Sequence, residues 1–360
     1  MTRSLGPTGN RALLVAFCLL LVSVGGCMDA EPTSSTGDKG LGATTGSATP
    51  TSATAETPTL PTPVSAVGAP ALPLGRVQTA RLKFDSPDWM EVADEALWVK
   101  LDAGTVVRIN PEKARVETRI KSRGPDQFEL CQGFGTSGDS VWTCTPFGSI
   151  ERIDASSNRV AERLQILMRR DQGHMVVASG RIWIATQSGD SIAGISLDDN
   201  QLGEDVSLGA FCNDLAAADP VIWAVCPGDN QVVRVDTAQG KVTARLESFH
   251  FLGGSQWGTT CGSGSKGGVA QVDLETLSVE AVYDVRPGLG GSIWVGEDRV
   301  WVRSDGGPFL TGIDPVDQRV VATITAPELP SGGNVVGIGD QLWATAYDDA
   351  TVVRLRPPSE

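Results

Sequence analysis

A tryptophan that returns at a nearly constant interval, each time closing the same short phrase, constrains this 360-residue chain more than any other feature in it. The phrase is a turn former, one or two apolar residues and Trp. It reads DEALW at Trp98, GDSVW at Trp142, SGRIW at Trp183, DPVIW at Trp223, EDRVW at Trp301 and GDQLW at Trp343, with a weaker copy, GGSQW, at Trp257. Successive spacings are 44, 41, 40, 34, 44 and 42 residues. Self-similarity at such a period means that one supersecondary unit is repeated, each copy burying its face against the next.

A second landmark keeps register with the first: VVRIN at Asn110, IERID at Asp154, GISLD around Ser196, VVRVD at Asp236, VAQVD at Asp273, LTGID at Asp314 and VVRLR at Arg356. It follows Trp by 12 or 13 residues in every copy but the fifth, where the offset is 16. Turn formers such as DAG, SGD, PGDN, SDGG and YDDA separate the two landmarks, between alternating apolar residues, which is hairpin chemistry. A further short run, as in NRVAERL and GKVTARL, completes four strands per copy. These are the blades of an all-β propeller. The last copy stops at residues 352–355 without an outer strand, and residues 75–84, GRVQTARLKF, alternate as the outer strands do. We expect this segment to close the ring by pairing with the last blade, giving seven four-stranded antiparallel blades over residues 74–360, with six or eight as the alternatives.

The seven in-register Trp rings read as core wedges between neighbouring sheets. Trp89 and Trp294 break the register and are more open to a role in a site.

Ahead of the repeats, Arg3 and Arg11 precede or flank a 13-residue apolar run at residues 12–24, too short for the roughly 20 residues that a spanning helix needs. It reads as a signal peptide, residues 1–26. Val24-Gly25-Gly26-Cys27 resembles a bacterial lipobox, with Val where Leu is commoner. The resemblance implies lipidation of Cys27 and a protein held by its lipid on the outer, extracytoplasmic face of the cell membrane. Residues 27–73 are rich in Ser, Thr, Pro and Ala, and read as a disordered tether. With 29 Lys plus Arg against 43 Asp plus Glu, the net charge of −14 disfavours a grip on nucleic acid. Nothing suggests more than a monomer.

Of the cysteines, Cys18 leaves with the signal. Cys131 and Cys212 each lie 11 residues before their blade's Trp, and Cys144 and Cys226 two and three after it. Each pair faces across one hairpin, so Cys131–Cys144 and Cys212–Cys226 are the expected disulfides in an oxidising compartment. Cys261 is left over and reads as a buried inert thiol.

The repeat, G-D-x-apolar-W followed by V-x-R-I-D, resembles the YVTN-type, NHL-like and streptogramin-lyase-like propellers over about residues 75–356. Those motifs specify the fold and say little about activity. Streptogramin lyases pair histidines with a glutamate around magnesium. Here His174 and His250 lie in different blades, nine and seven residues before their Trp, and no H-x-E element accompanies them, which departs from that pattern. Gluconolactonase-type propellers hold a divalent cation on inner strands. Positions nine and ten before each Trp, where an inner strand should begin at the channel mouth, are Asp88 and Trp89, Gln132 and Gly133, Gly173 and His174, Asn213 and Asp214, Gly291 and Ser292, and Gly333 and Asn334.

Asp88, Trp89, Gln132, His174, Asn213, Asp214 and Asn334 are therefore the candidate ligand-binding ring. Within it, Asp88, Asn213, Asp214 and Asn334 are oxygen donors of the kind that suits calcium or magnesium. The competing reading is that water in the channel makes such positions polar. Acidic turns on the same face, among them Asp102, Asp190, Asp229, Asp305, Asp348 and Asp349, add negative potential. No hydrolase triad, P-loop or dinucleotide fingerprint is present. The expectation is a surface-anchored recognition or scaffold protein that binds a small molecule, a glycan or a protein on its propeller face. A divalent-metal-dependent hydrolase or lyase is the alternative, and a purely structural assembly protein a third.

Overall fold

The computed structural model describes residues 61–357, apart from 122–130, 146–148, 170–171, 248, 254–255, 261–267, 274–275, 277, 286–290 and 306. Cys27, the signal and most of the tether lie outside the described residues, as does Cys261. Seven antiparallel sheets succeed one another along the chain, at residues 87–121, 134–164, 176–207, 214–247, 249–283, 292–325 and 335–355, and are called blades one to seven below. Within a blade the strands are hydrogen-bonded in chain order, the first lying innermost along the central channel.

The expected closure is present. Gln78–Lys83 pairs antiparallel with Thr351–Leu355 and becomes the outer strand of blade seven, so the ring is joined by its two ends. Blade six departs from the expected four strands. Ala71–Pro73 adds a fifth, parallel to Arg319–Thr325. Just before it, the amide of Val64 donates to the carbonyl of Val282 (2.7 Å), and Asp284 donates back to Val64 (2.9 Å). Residues 64–73, placed in the tether by their composition, thus run along the outer edges of blades five and six. Few apolar residues are needed there, because an edge strand is held by its backbone hydrogen bonds.

Both sequence landmarks have a structural cause. All seven register Trp side chains are buried in the seams between blades. Opposite each on the third strand stands a residue of the second landmark, its middle one in every blade but the third: Arg108 faces Trp98, Arg152 faces Trp142, Arg234 faces Trp223 and Arg354 faces Trp343. Three of these guanidinium groups lie 5.5–5.9 Å from the ring centroid, within cation–π range. In blades three and six the facing residue is glycine. A Cβ at Gly194 or Gly312 would come within 2.9–3.1 Å of Trp183 or Trp301, so the ring fills that space itself.

The acid that ends the landmark caps the next turn. Asp154, Asp236, Asp273 and Asp314 each accept the backbone N–H three residues on, at 2.7–3.0 Å. Hydrogen bonds from Ser157 and Ser156 hold the Asp154 carboxyl down at about 2. Both expected disulfides, Cys131–Cys144 and Cys212–Cys226, are formed.

Candidate ligand site at the channel mouth

The first strands begin, and the second strands end, on one face of the ring, which brings the sequence-derived positions round one channel mouth. Asp214 starts the inner strand of blade four, and its Oδ1 accepts three hydrogen bonds: from the backbone of His174 (2.7 Å), from the backbone of Leu215 (3.0 Å) and from His174 Nδ1 (3.2 Å). Burial works against charge on the imidazole. The Asp214 charge and hydrogen bond, with further help from Glu91 and Asp88, outweigh that and lift His174 to about 9. At neutral pH it is an imidazolium clamped to its neighbour blade.

Trp89 reaches over from blade one. Its ring meets His174 edge-on, centroids 4.4 Å apart, and lies so close to Gly173 that a Cβ there would be 2.8 Å from the indole. Gly173 is needed because the indole and Asp214 Oδ1 occupy the space of any side chain. The indole therefore spans the mouth from blade one to blade three. Trp294, the other ring out of register, instead packs on Gly296 and Gly337 and fills the seams around blade seven.

Asp88 is half-buried, and its carboxyl is pushed up to about 7, first by burial and then by Asp102, against the lowering effect of Lys100 and His174. Glu91 is raised too, by burial, as is Asp102, which accepts the Tyr347 hydroxyl. In the adjoining blade seven Asn334 is 5% exposed, and Thr345 links it to blade one: the Thr345 hydroxyl accepts from the Asn334 backbone N–H (2.7 Å) and donates to the Asp88 carbonyl (3.3 Å). Gln132 and Asn213 stand half-buried at the same level in blades two and four. His250 lies in the inner strand of blade five, Phe249–Gly253, away from this face's His174–Asp214 pair in sequence and blade.

Sequence reasoning missed Glu91, Lys100 and Arg303. Lys100 and Arg303 each stand two residues after a register Trp, at the end of a second strand. Lys100 is fully buried and extends into blade two, its Nζ donating to the carbonyls of Gly133 (2.9 Å) and Cys144 (3.4 Å) and to Cys144 Sγ (3.3 Å). Burial brings it down to about 7, against Asp88, Asp102 and Glu151. Arg303 does the same between blades six and seven, donating to the carbonyls of Thr345 (3.0 Å), Ser331 and Ser304, with Phe309 stacked 4.0 Å away. A cation two residues after Trp, inside an otherwise apolar strand, was the available signal.

Among the described residues, no group of three or more His, Cys, Asp or Glu side chains is arranged to hold a metal ion.

No family model matches this chain, and no curated protein does. Solved structures do match it. A virginiamycin B lyase from Staphylococcus aureus aligns with a TM-score of 0.60 at 15% identity, over 78% of this chain and 99% of its own. The WD40 domain of Neurospora crassa Pan2 gives 0.61 at 12% identity, over 79% and 96%. BamB from Moraxella catarrhalis gives 0.55 at 12%, over 79% and 98%. The fold is a seven-bladed β-propeller. At such identities the likeness speaks to fold alone, since the same propeller carries a lyase in one case and a WD40 domain in another.

Proposed function

We propose that this chain is an extracytoplasmic recognition protein, anchored by lipid on Cys27, whose channel mouth takes a group of a small molecule, a glycan or a partner protein. The observation that carries this reading is how the mouth's charged groups are occupied. His174 and Asp214 are spent on each other, and Lys100 Nζ is spent on carbonyls of the adjoining blade. A nucleophile beside a free base, or a carboxylate ring with open coordination positions, would favour chemistry. What the mouth offers instead is a preformed rim with an aromatic ring, Trp89, packed across it, in keeping with the aromatic linings of small-molecule sites.

The test is turnover. The propeller, residues 61–360, is expected to leave a panel of lactones intact in the presence of calcium, magnesium or manganese. Metal-dependent hydrolysis that disappears in Asp214→Ala would replace this reading with a hydrolase. Anchoring is tested by cell fractionation: the Cys27→Ser protein should leave the membrane fraction, and its retention there would refute a lipid anchor at that position.

A further inference from the structure

Resting on the recognition reading, we infer that the blade one–blade seven side of the channel mouth is a site for a primary ammonium group, held between the Asp88 carboxylate and the Asn334 side-chain carbonyl. Four carboxylates, those of Asp88, Glu91, Asp102 and Asp214, interact electrostatically around the mouth with two cations, Lys100 and His174. Both cations already have close partners: His174 faces Asp214 at 3.2 Å, and Lys100 Nζ points to Gly133 O at 2.9 Å. Asp102 takes the Tyr347 hydroxyl. Asp88 feels the charges of Lys100 and His174, but among the described residues neither comes within ion-pair distance of its half-buried carboxyl.

Asn334 gives an independent indication. It is 5% exposed, and its Oδ1 is buried without a hydrogen-bond partner among the described residues. Strand side chains alternate between faces, so Asn334 shares the face of Val336. Val336 packs with Met90, Leu97 and Val99 of blade one, so Asn334 is turned into the same seam, at its channel end. Met90 lies in that seam, and the Asp88 carbonyl, which accepts from the Thr345 hydroxyl of blade seven, stands at the same end. The Thr345 hydroxyl, between the Asn334 backbone N–H and the Asp88 carbonyl, fixes the two backbones together. A buried acceptor without a donor is costly, and it survives where something else supplies the donor.

An ammonium group supplies what is missing: one positive charge and three N–H donors, enough for a carboxylate, an amide oxygen and one further acceptor. A neutral hydroxyl would supply a donor but no charge. Calcium would need six to eight oxygens, against the two acceptors identified here. The Trp89 ring at the same rim can cover the carbon chain that bears the amine.

The probes are cadaverine and, as its neutral counterpart, 1,5-pentanediol, each titrated calorimetrically into residues 61–360 at pH 8, where Asp88 is ionised. Cadaverine should bind and pentanediol should not. Asp88→Asn and Asn334→Leu should each weaken cadaverine at least tenfold. Asn334→Leu should melt no lower than the parent, because the atom removed has no partner. A capped tripeptide with a central lysine shows whether a protein side chain can supply the same group. Absence of cadaverine binding, equal affinity in both variants, or pentanediol binding as tightly would overturn the inference. Pentanediol binding without cadaverine binding would do so while leaving recognition standing, whereas metal-dependent lactone turnover would remove the recognition reading itself.

Discussion

His174 and Asp214 make a pair whose strength can be read by titration. His174, lifted to about 9, binds its proton more tightly folded than unfolded. Its stabilisation is therefore complete below about 6.5 and is lost as pH rises from there through about 9. Its imidazole resonances should titrate near 9 by NMR and fall towards the ordinary histidine value in Asp214→Asn; an unchanged midpoint would show that Asp214 is not the cause. Lys100, brought down to about 7, works the other way, favouring the fold as pH rises from about 7 towards 10.5. Unfolding of the parent should therefore be compared with His174→Gln at pH 6 and 9, so that the Lys100 contribution cancels.

The same positions show what was legible. Asp88, His174, Asp214 and Asn334 could be placed at the mouth because each Trp fixes where its blade's first strand begins. Their pairing could not, since the contact between His174 and Asp214 crosses from one blade to the next. Lys100 escaped because ALWVKL reads as a buried strand, and nothing local tells that its ammonium reaches carbonyls 33 and 44 residues away.

At the scale of elements, the second landmark is a clasp as well as a strand. Arg354 stacks on Trp343 and donates to the carbonyls of Pro111 and Glu112, both at 2.7 Å, tying blade seven to blade one. Charged hydrogen bonds of this kind contribute about 1.5–3 kcal/mol together with their stacking, so Arg354→Met should cost about 2 kcal/mol in urea unfolding. A cost below about 0.5 kcal/mol would mean that the seam is held by apolar packing alone. Each disulfide closes a loop of 13 or 14 residues, and replacing Cys212 and Cys226 together by Ser should cost about 3 kcal/mol on the loop-entropy estimate. The cysteine positions relative to Trp revealed both pairings, because hairpin geometry sets which side chains face each other.

At the scale of the whole molecule, the ring holds only if its ends meet. Blade seven relies on Gln78–Lys83 for its outer strand, so a chain beginning at residue 84 exposes the Thr351–Leu355 edge. Its unfolding should lose cooperativity, while a chain beginning at residue 61 should melt in one transition. Beginning at residue 74 keeps the buried Leu74 while removing Ala71–Pro73 and the Val64 contacts, and should lower the melting temperature with cooperativity kept. That outer strap was hidden in the sequence because its Pro and Ala look like linker, while what holds it is the backbone.

The ring's role rests on whether its mouth recognises a ligand or works on one through a metal. The most direct measurement is the melting temperature of residues 61–360 with calcium, magnesium and manganese, each against a chelator control. The account predicts no change with any of the three. A rise of several degrees that Asp214→Ala abolishes would contradict it and make the mouth a metal centre.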